Sequence, residues 1–250
     1  MSQTIYLITG ANRGIGRGMT ESLLQRPNTT ILAGVRFPSH PTSQSLLTLP
    51  ASTTSTLHLL ALDVTSTSTL SSSLATLPSL GITHIDILIS NAGISNYYGA
   101  ATITPLEEVR EHFEVNAICT LALFQASWGL LKESGNERGP VVMVTSTGVA
   151  SIGDMEKMTW ESTAYGMSKV AVNYAVREMN FENKEIVAFV IGPGWVQTEM
   201  GNLGAASMGM EEAPVSVQQS VEGVLKKLDN STRENTGSRF LSFDDEIYSL

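Results

Sequence analysis

Tyr165 and Lys169 have the residue types and the spacing for acid–base chemistry. They are four positions apart in a predicted helix at 162–181, so their side chains project from the same face. A free tyrosine has a pKa of about 10 and is a poor acid–base group at neutral pH. A nearby ammonium favours the phenolate and brings that pKa toward the operating range. The alternative is an ordinary half-buried helix tyrosine beside a solvated lysine.

A second pattern with chemical meaning lies near the N-terminus. Gly10, Gly14 and Gly16 follow an apolar run and open an amphipathic stretch. Glycine permits positive φ angles and a close approach of the backbone to a ligand. A helix that begins there presents free N–H groups and a positive dipole end, which suit a pyrophosphate. The spacing G-x-x-x-G-x-G differs from the dinucleotide fingerprint G-x-G-x-x-G, and a turn that binds nothing is the alternative.

The wider pattern of the chain indicates which elements position these residues. Short β-branched runs alternate with longer amphipathic stretches, which is typical of a parallel sheet covered by helices. We predict strands at 4–9, 30–35, 57–61, 85–90, 141–145, 185–191 and 239–243, and helices at 14–25, 66–77, 105–132, 162–181 and 215–228. The helix 105–132 is expected to break near Asn116. No linker or repeat divides the chain, so one domain over 1–250 is expected; low-complexity disorder is the alternative for the Ser/Thr-rich stretch 42–80.

Further motifs follow the glycine turn in order along the chain. They are Asn91-Ala92-Gly93, then Asn116, then Ser146, then Tyr165-Gly166-Met167-Ser168-Lys169, then Gly192-Pro193-Gly194-Trp195-Val196-Gln197-Thr198. In these motifs, in their order and over nearly its whole length, the chain resembles the short-chain dehydrogenase/reductase family. The resemblance implies a single-domain α/β fold: a Rossmann-type doubly wound parallel sheet of about seven strands with helices on both faces. Ligand would bind beyond the carboxyl ends of the strands.

The resemblance also implies roles for these residues in the interconversion of a ketone and an alcohol. Tyr165 would be the acid–base group, and Lys169 would support it and contact the nicotinamide ribose. Ser146 would hold the substrate oxygen as charge develops there. Asn116 would support a water that links Lys169 to solvent, although an Asn inside a helix can also simply mark a kink. The cofactor residues expected are Gly10, Asn12, Arg13, Gly14, Ile15, Gly16, Arg36, Asp63, Val64, Asn91, Ala92, Gly93, Tyr165, Lys169, Val196 and Thr198.

The end of the second strand indicates which nicotinamide cofactor is used. Enzymes that use NAD usually carry a carboxylate there, which contacts the ribose 2′-OH. In this chain the strand runs into Arg36 instead, and Arg13 in the glycine turn is a second basic group. A guanidinium is planar, permanently charged and suited to a phosphate, so we predict NADP(H). The alternatives are that Arg36 is a solvated loop residue and that Asp63, assigned to the adenine by resemblance, is a common turn residue.

The position of the serine departs from the family pattern. Ser146 precedes Tyr165 by 19 residues, whereas many family members have a spacing in the low teens. The extra residues fall around 153–160, where an insertion would line or cover the substrate pocket. Ser151 is a second candidate for the serine role, and Thr145 and Thr147 are further substitutes.

The segments around Tyr165 suggest a bulky, flat, apolar carbonyl substrate. Candidate walls are 95–98, 148–160, Trp195 and 199–210, and the Gly- and Met-rich residues of a lid at about 195–212 would adapt to such a shape. Packing of these residues on the core is the alternative. The runs 4–16, 26–30 and 33–36 resemble the sniffer-type carbonyl reductases, and among them the fungal norsolorinic acid ketoreductase-like proteins. This implies a polyketide-derived ketone.

Composition and charge narrow the possible partners. A formal net charge of −9 argues against nucleic acid or an anionic membrane as the main partner. The single cysteine, Cys119, excludes an intrachain disulfide. No signal peptide and no apolar run of membrane-spanning length is visible, so we expect a cytoplasmic protein. The four histidines lack metal spacing, and no metal is expected.

Two other classes of function compete with a ketoreductase. An idle NADP(H)-binding sensor would use the same fold, but it has no need of the Tyr165/Lys169 pair. A scaffold subunit predicts no cofactor binding at all. Many relatives pair through the helices that carry Asn116 and Tyr165, so a homodimer or homotetramer is possible here.

Overall fold

Seven short apolar runs form the strands of one sheet in the computed structural model, which describes residues 3–157 and 160–249. The strands are β1 Thr4–Thr9, β2 Thr29–Val35, β3 Thr56–Ala61, β4 Ile87–Ser90, β5 Val141–Thr145, β6 Val187–Gly192 and β7 Phe240–Ser242. All neighbouring pairs are parallel, in the order β3-β2-β1-β4-β5-β6-β7. The predicted seven-stranded parallel sheet is therefore confirmed.

Helices cover both faces of this sheet because successive strand residues point to opposite sides. The helices are α1 Gly14–Leu24, α2 Pro41–Gln44, α3 Thr67–Leu74, α4 Leu106–His112, α5 Cys119–Lys132, α6 Thr163–Glu182, α7 Glu199–Ser207 and α8 Val217–Asp229. On one face Leu7 and its alternate neighbours pack against α3, α5 and α6, through residues such as Leu123 and Val172. On the other face Ile8 and its counterparts pack against α1 and α8, through residues such as Met19.

The Ser/Thr-rich stretch 42–80 is ordered around a few buried leucines. Leu60, Leu70, Leu74 and Leu77 belong to the core, and the Ser66 side chain caps α3 by accepting a hydrogen bond from the Thr69 amide. The alternative of low-complexity disorder does not hold. Strand β3 lies at the edge of the sheet, which explains why its residues are only partly covered.

Element boundaries differ from the predicted ones by a few residues, for local reasons. The strand predicted at 85–90 begins at Ile87 because the Ile85 amide donates to Leu130 O in α5. The helix predicted at 215–228 begins at Val217 because Val215 pairs with Val196 and Ser216 forms a capping box. The break predicted near Asn116 is confirmed, as a π-helical turn at Phe113–Ile118. Helix α7 was not predicted.

Candidate active site

The site lies where the strand order reverses, beyond the carboxyl ends of β1 and β4. The glycine turn follows β1, and Asn91 follows β4. A Cβ on Gly16 would overlap the carbonyl oxygen of Gly10 and come within 2.6 Å of the Asn91 Nδ2. Gly10 itself has a φ of +65°, which favours glycine. The turn therefore packs tightly against the loop that begins at Asn91, after the neighbouring strand β4. Such tight packing is what a close approach of the backbone to a ligand requires.

The start of helix α1 fits a pyrophosphate. No side chain caps this end, and no acidic residue lies in its first turn. The first N–H groups and the positive end of the helix dipole therefore remain available to an anion. Thr198, which follows β6, places its methyl carbon 3.2 Å from where a Gly14 Cβ would lie, and so closes the other side of the turn. The residues present thus fit the phosphates of a dinucleotide.

Asn116 positions the loop after β4. Its Oδ1 accepts a hydrogen bond from the Ile94 amide at 2.8 Å, and its Nδ2 donates to Ile94 O and to Ser168 Oγ, both at 2.9 Å. The side chain is fully buried, and both amide hydrogens and one of the two acceptor positions of Oδ1 are occupied. Its visible role is to clamp the Asn91-Ala92-Gly93 loop to α6. The role of Asn116 in supporting a water toward Lys169 stays a prediction.

Lys169 is enclosed between this loop and the end of β5. Its side chain is 4% exposed, and Nζ donates to Thr145 O at 2.8 Å. Burial disfavours the ammonium and lowers the pKa of Lys169 to about 8. The residue still carries most of its positive charge at neutral pH, at the point where the ends of β4 and β5 meet.

Tyr165 lies one helical turn before Lys169 on α6, as its spacing predicts. Its pKa is raised above the ordinary value, chiefly by burial and further by the nearby Tyr98. The Thr147 side chain acts in the opposite direction and is the weakest of these influences. The expectation that Lys169 lowers this pKa is not met, because burial dominates it. The phenol is held protonated, which is the form that donates a proton.

Ser146 has a buried protein partner. Its side chain is 1% exposed, and Oγ donates to Asn173 Oδ1 at 2.6 Å. Side chains alternate at the end of a strand, so the next residue faces the other way. That residue is Thr147, which is close enough to Tyr165 to act on the pKa of the phenol. Thr147, already a substitute on sequence grounds, is therefore a candidate beside Ser146 for holding the substrate oxygen.

The two other candidates for the serine role do not reach Tyr165 by their hydrogen bonds. Ser151 Oγ donates to Asp154 Oδ2 at 2.8 Å and to the carbonyl oxygen of Ser249, near the C-terminus. Thr145 offers its carbonyl oxygen to Lys169, and its hydroxyl lies 3.5 Å from Asn91 Oδ1. Ser146 and Thr147 are therefore the two candidates for holding the substrate oxygen.

The far end of the predicted cofactor site carries exposed charges. Arg36 follows β2 and is exposed, and it faces Asp63 closely enough to help lower the pKa of that carboxyl, whose main stabiliser is the Thr65 hydroxyl. Val64 is partly buried beside it. Asn12 Nδ2 donates to Thr42 Oγ1 at 2.7 Å, which ties the glycine turn to α2.

Arg13 has a partner that the sequence did not indicate. Its guanidinium contacts Glu199 Oε2 at 2.7 Å, at the first residue of α7. Both side chains are largely exposed, 67% and 83%, so the pair adds little stability. It does place the predicted lid next to the glycine turn. Val196 is buried, and Ile15 packs on the core beneath the turn.

Comparison with known proteins agrees with this arrangement. The family profile described as short chain dehydrogenase matches residues 4–207. The chain belongs to the short-chain dehydrogenase family. A norsolorinic acid ketoreductase from Dothistroma septosporum is 40% identical to this short-chain dehydrogenase over 245 residues, which cover 97% of this chain and 91% of the relative. Another from Aspergillus parasiticus is 38% identical over 245 residues, with 97% and 89% covered.

Solved structures extend the comparison. The NADPH-bound carbonyl reductase from chicken fatty liver superposes with a TM-score of 0.85 at 27% identity, and all of both chains is covered. The Sniffer carbonyl reductase of D. melanogaster has the same TM-score and coverage at 21% identity, which shows the shared fold. The predicted family and fold are thus confirmed, and this short-chain dehydrogenase is an oxidoreductase acting on carbonyl or hydroxyl groups of small molecules. Its family binds a nicotinamide cofactor.

Two supporting residues escaped the sequence reasoning. Asn173 holds Ser146, and Ser168 joins Asn116 to α6. A signal existed for Asn173, which lies one turn after Lys169 on the same helix face. Within 3–157 and 160–249, no cluster of three or more potential metal ligands occurs, and none of the helices described there is long and apolar enough to span a bilayer.

Proposed function

We propose that this short-chain dehydrogenase is an NADPH-dependent ketoreductase that reduces a bulky aromatic ketone of polyketide type. The observation that carries the proposal is the arrangement at the end of β5: Tyr165 and Lys169 lie one helical turn apart on α6, and Lys169 Nζ donates to Thr145 O at 2.8 Å. Burial keeps the Tyr165 phenol protonated, so a proton donor lies one helical turn from a positive charge. Two curated relatives at 40% and 38% identity are ketoreductases of norsolorinic acid, which supports the substrate class.

In the proposed reduction Thr147 and Tyr165 act on the carbonyl oxygen of the substrate, and Lys169 acts on Tyr165. The nicotinamide, when bound, supplies the hydride to the carbonyl carbon. Thr147 donates a hydrogen bond to the oxygen as negative charge develops there, and Tyr165 transfers its phenolic proton to the same oxygen. Lys169, whose pKa is lowered only to about 8, keeps a positive charge that stabilises the phenolate left behind. Ser146 holds α6 against β5 through Asn173 and is the alternative donor to the substrate oxygen.

Arg36 and Arg13 support the choice of NADPH over NADH. Arg36 stands where an NAD enzyme carries a carboxylate, and it is exposed at the rim of the cleft. Arg13 lies in the glycine turn, and its exposed contact with Glu199 can be exchanged for a phosphate at little cost. A structure of the carbonyl reductase from chicken fatty liver, 27% identical, contains NADPH.

The test is a titration followed by a turnover assay. Fluorescence titration of the purified chain with NADPH and with NADH gives the two affinities, and loss of NADPH absorbance with a panel of aromatic and aliphatic ketones measures reduction. We expect tighter binding of NADPH and oxidation that depends on the ketone. Binding without turnover on any aromatic ketone would favour a sensor, and the absence of binding would exclude the proposal.

A further inference from the structure

Three aromatic side chains from distant segments meet beside Tyr165. Tyr98 follows the loop after β4, Trp160 precedes α6, and Trp195 follows β6. The Tyr98 and Trp160 rings stack with centroids 5.0 Å apart and planes 20° apart, and the Trp160 and Trp195 centroids are 5.4 Å apart. Each side chain remains partly accessible. We call this group, Tyr98, Trp160 and Trp195, the aromatic wall.

Backbone hydrogen bonds fix the wall relative to Tyr165. The Gly99 amide donates to Glu161 O at 2.8 Å, and the Thr163 hydroxyl donates to Gly99 O at 3.2 Å. These bonds join the Tyr98 loop to the residues that open α6, the helix carrying Tyr165. Tyr98 is close enough to raise the pKa of Tyr165 electrostatically. The wall therefore borders the point where a carbonyl oxygen would meet the phenol.

The lid helix α7 rests on this wall at a position that only glycine fits. A Cβ on Gly204 would lie 2.9 Å from the Cζ2 and Cη2 atoms of Trp160 and 3.4 Å from the Tyr98 hydroxyl. The Trp195 indole N–H donates to Gly201 O at 2.9 Å, which holds the first turn of α7 in place. The lid helix and the aromatic wall therefore pack against each other at the Trp160 ring.

We infer that Trp160 determines substrate specificity: with Tyr98 and Trp195 it forms the aromatic surface against which the fused rings of an aromatic ketone pack while the carbonyl reaches Tyr165. The inference rests on the proposed function. The three rings stack or tilt against one another, and each keeps part of its surface accessible. This accessible surface favours a flat, apolar partner, because aromatic pairs, offset-stacked or edge-to-face, gain affinity beyond the area that they bury. Trp160 lies between β5 and α6, in the segment that separates Ser146 from Tyr165 by 19 residues.

The first test compares two ketones on the Trp160→Leu variant, which keeps an apolar side chain but removes the aromatic ring and part of its volume. For methyl naphthyl ketone we expect KM to rise about tenfold or more, with kcat changed less than about threefold. For methyl hexyl ketone KM should stay within about twofold, and the NADPH affinity should be unchanged. Trp160→Phe should recover part of the loss for the naphthyl ketone. An unchanged KM for that ketone, or an equal rise for both ketones, overturns the inference.

The second test uses the contact with the lid. Gly204→Ala should raise KM for methyl naphthyl ketone because the new methyl displaces the Trp160 ring, and in the Trp160→Leu background it should add little. Gly129→Ala on α5 is the matched control, since a Cβ there meets nothing within 4 Å. Fully additive effects of Gly204→Ala and Trp160→Leu would show that the two residues act separately and would contradict the inference.

Calorimetric titration of methyl naphthyl ketone into the protein with NADP+ separates this inference from the proposed function. Binding that is weakened by Trp160→Leu, without turnover, supports the wall and refutes the reductase. Turnover that is indifferent to Trp160→Leu supports the reductase and refutes the wall. Neither binding nor turnover refutes both.

Discussion

The two ends of the proposed cofactor site hold their charged groups in opposite ways. At the nicotinamide end, Lys169 is 4% exposed and donates to a backbone carbonyl. Burial there favours the neutral form of both side chains, since it lowers the pKa of Lys169 and raises the pKa of Tyr165. At the ribose phosphate end, Arg36 and Arg13 are exposed, and the only side-chain ion pair between that end and α7 in the described structure is Arg13 with Glu199. The buried end fixes the chemistry, while the exposed end leaves guanidinium groups free to move onto an anion.

The largest expected effect comes from removing the proton donor at the buried end. Tyr165→Phe should lower kcat/KM for a ketone by about a thousandfold, because general acid catalysis is lost while the ring still fills its place. NADPH affinity and the unfolding free energy should remain close to those of the unmodified chain. Steady-state kinetics and a fluorescence titration measure both. Full reductase activity in this variant would show that Tyr165 is not the acid.

The buried ammonium should cost stability, and the cost should depend on pH. The folded pKa of Lys169, about 8, lies below the value of the unfolded chain, so between those values the unfolded chain binds the extra proton and stability rises with pH. The unmodified chain should therefore gain about 3 kcal/mol of unfolding free energy relative to Lys169→Met as pH rises from about 7 to above about 10. Urea unfolding across that range is the measurement.

The exposed end supplies the control for this prediction. Arg36→Met should change the unfolding free energy by less than about 0.5 kcal/mol at every pH, as surface substitutions do. If both variants gave the same pH-independent change, burial of Lys169 would not be the cause and the contrast between the two ends would fail.

Substitutions of the two adjacent hydroxyl residues at the end of β5, Ser146 and Thr147, should have separate effects on catalysis and on stability. Thr147→Ala should lower kcat/KM by about a hundredfold, since a hydrogen bond to the developing oxyanion is lost. Ser146→Ala should instead lower the unfolding free energy by about 1 kcal/mol or more, because Asn173 loses its buried partner, while the folded enzyme keeps most of its kcat. Kinetics and urea unfolding on both variants measure the two effects. The reverse result would restore Ser146 to the catalytic role.

The smallest expected change in turnover is at the exposed end. Arg36→Asp should weaken NADPH binding by about tenfold or more and leave kcat with saturating NADH nearly unchanged, because the charged hydrogen bonds to the 2′-phosphate are lost far from the chemistry. Arg177→Asp, an exposed position on α6, controls for the change in net charge. An unaltered ratio of NADPH to NADH affinity would exclude Arg36 as the phosphate ligand.

The sheet and the Tyr165/Lys169 pair follow from local sequence patterns. Buried parallel strands are continuous apolar runs, so β1 and β5 could be placed from composition alone, and a spacing of four fixes a helix face wherever the helix begins. Choosing between Ser146 and Thr147 requires knowing where the strand pleat ends, since one residue reverses the direction of the side chain. Sequence leaves that boundary open by more than one residue.

The substrate side of the site depends on contacts that local patterns do not contain. Trp160 finds Tyr98 across 62 residues of chain and Trp195 across another 35. The Gly- and Met-rich run 199–210 reads as a mobile loop, yet it folds as α7 because Thr198 caps it and Trp195 binds its first turn. Contacts between distant segments determine both the position of Trp160 and the folding of α7. A single sequence therefore identifies these segments but does not show where they lie in the structure.

The π-helical turn at Phe113–Ile118 has a consequence for how this chain can diverge. Such a turn is equivalent to a single residue inserted into an α-helix. Deletion of that residue would rotate the helix on one side of the turn by about 100° relative to the other side. Either Asn116 would then turn away from Ile94 and Ser168, or Leu123 of α5 would turn out of the core. Because residues on both sides of the turn make buried contacts, a one-residue deletion there would break one of the two sets, which favours retention of the inserted residue in variants of this sequence.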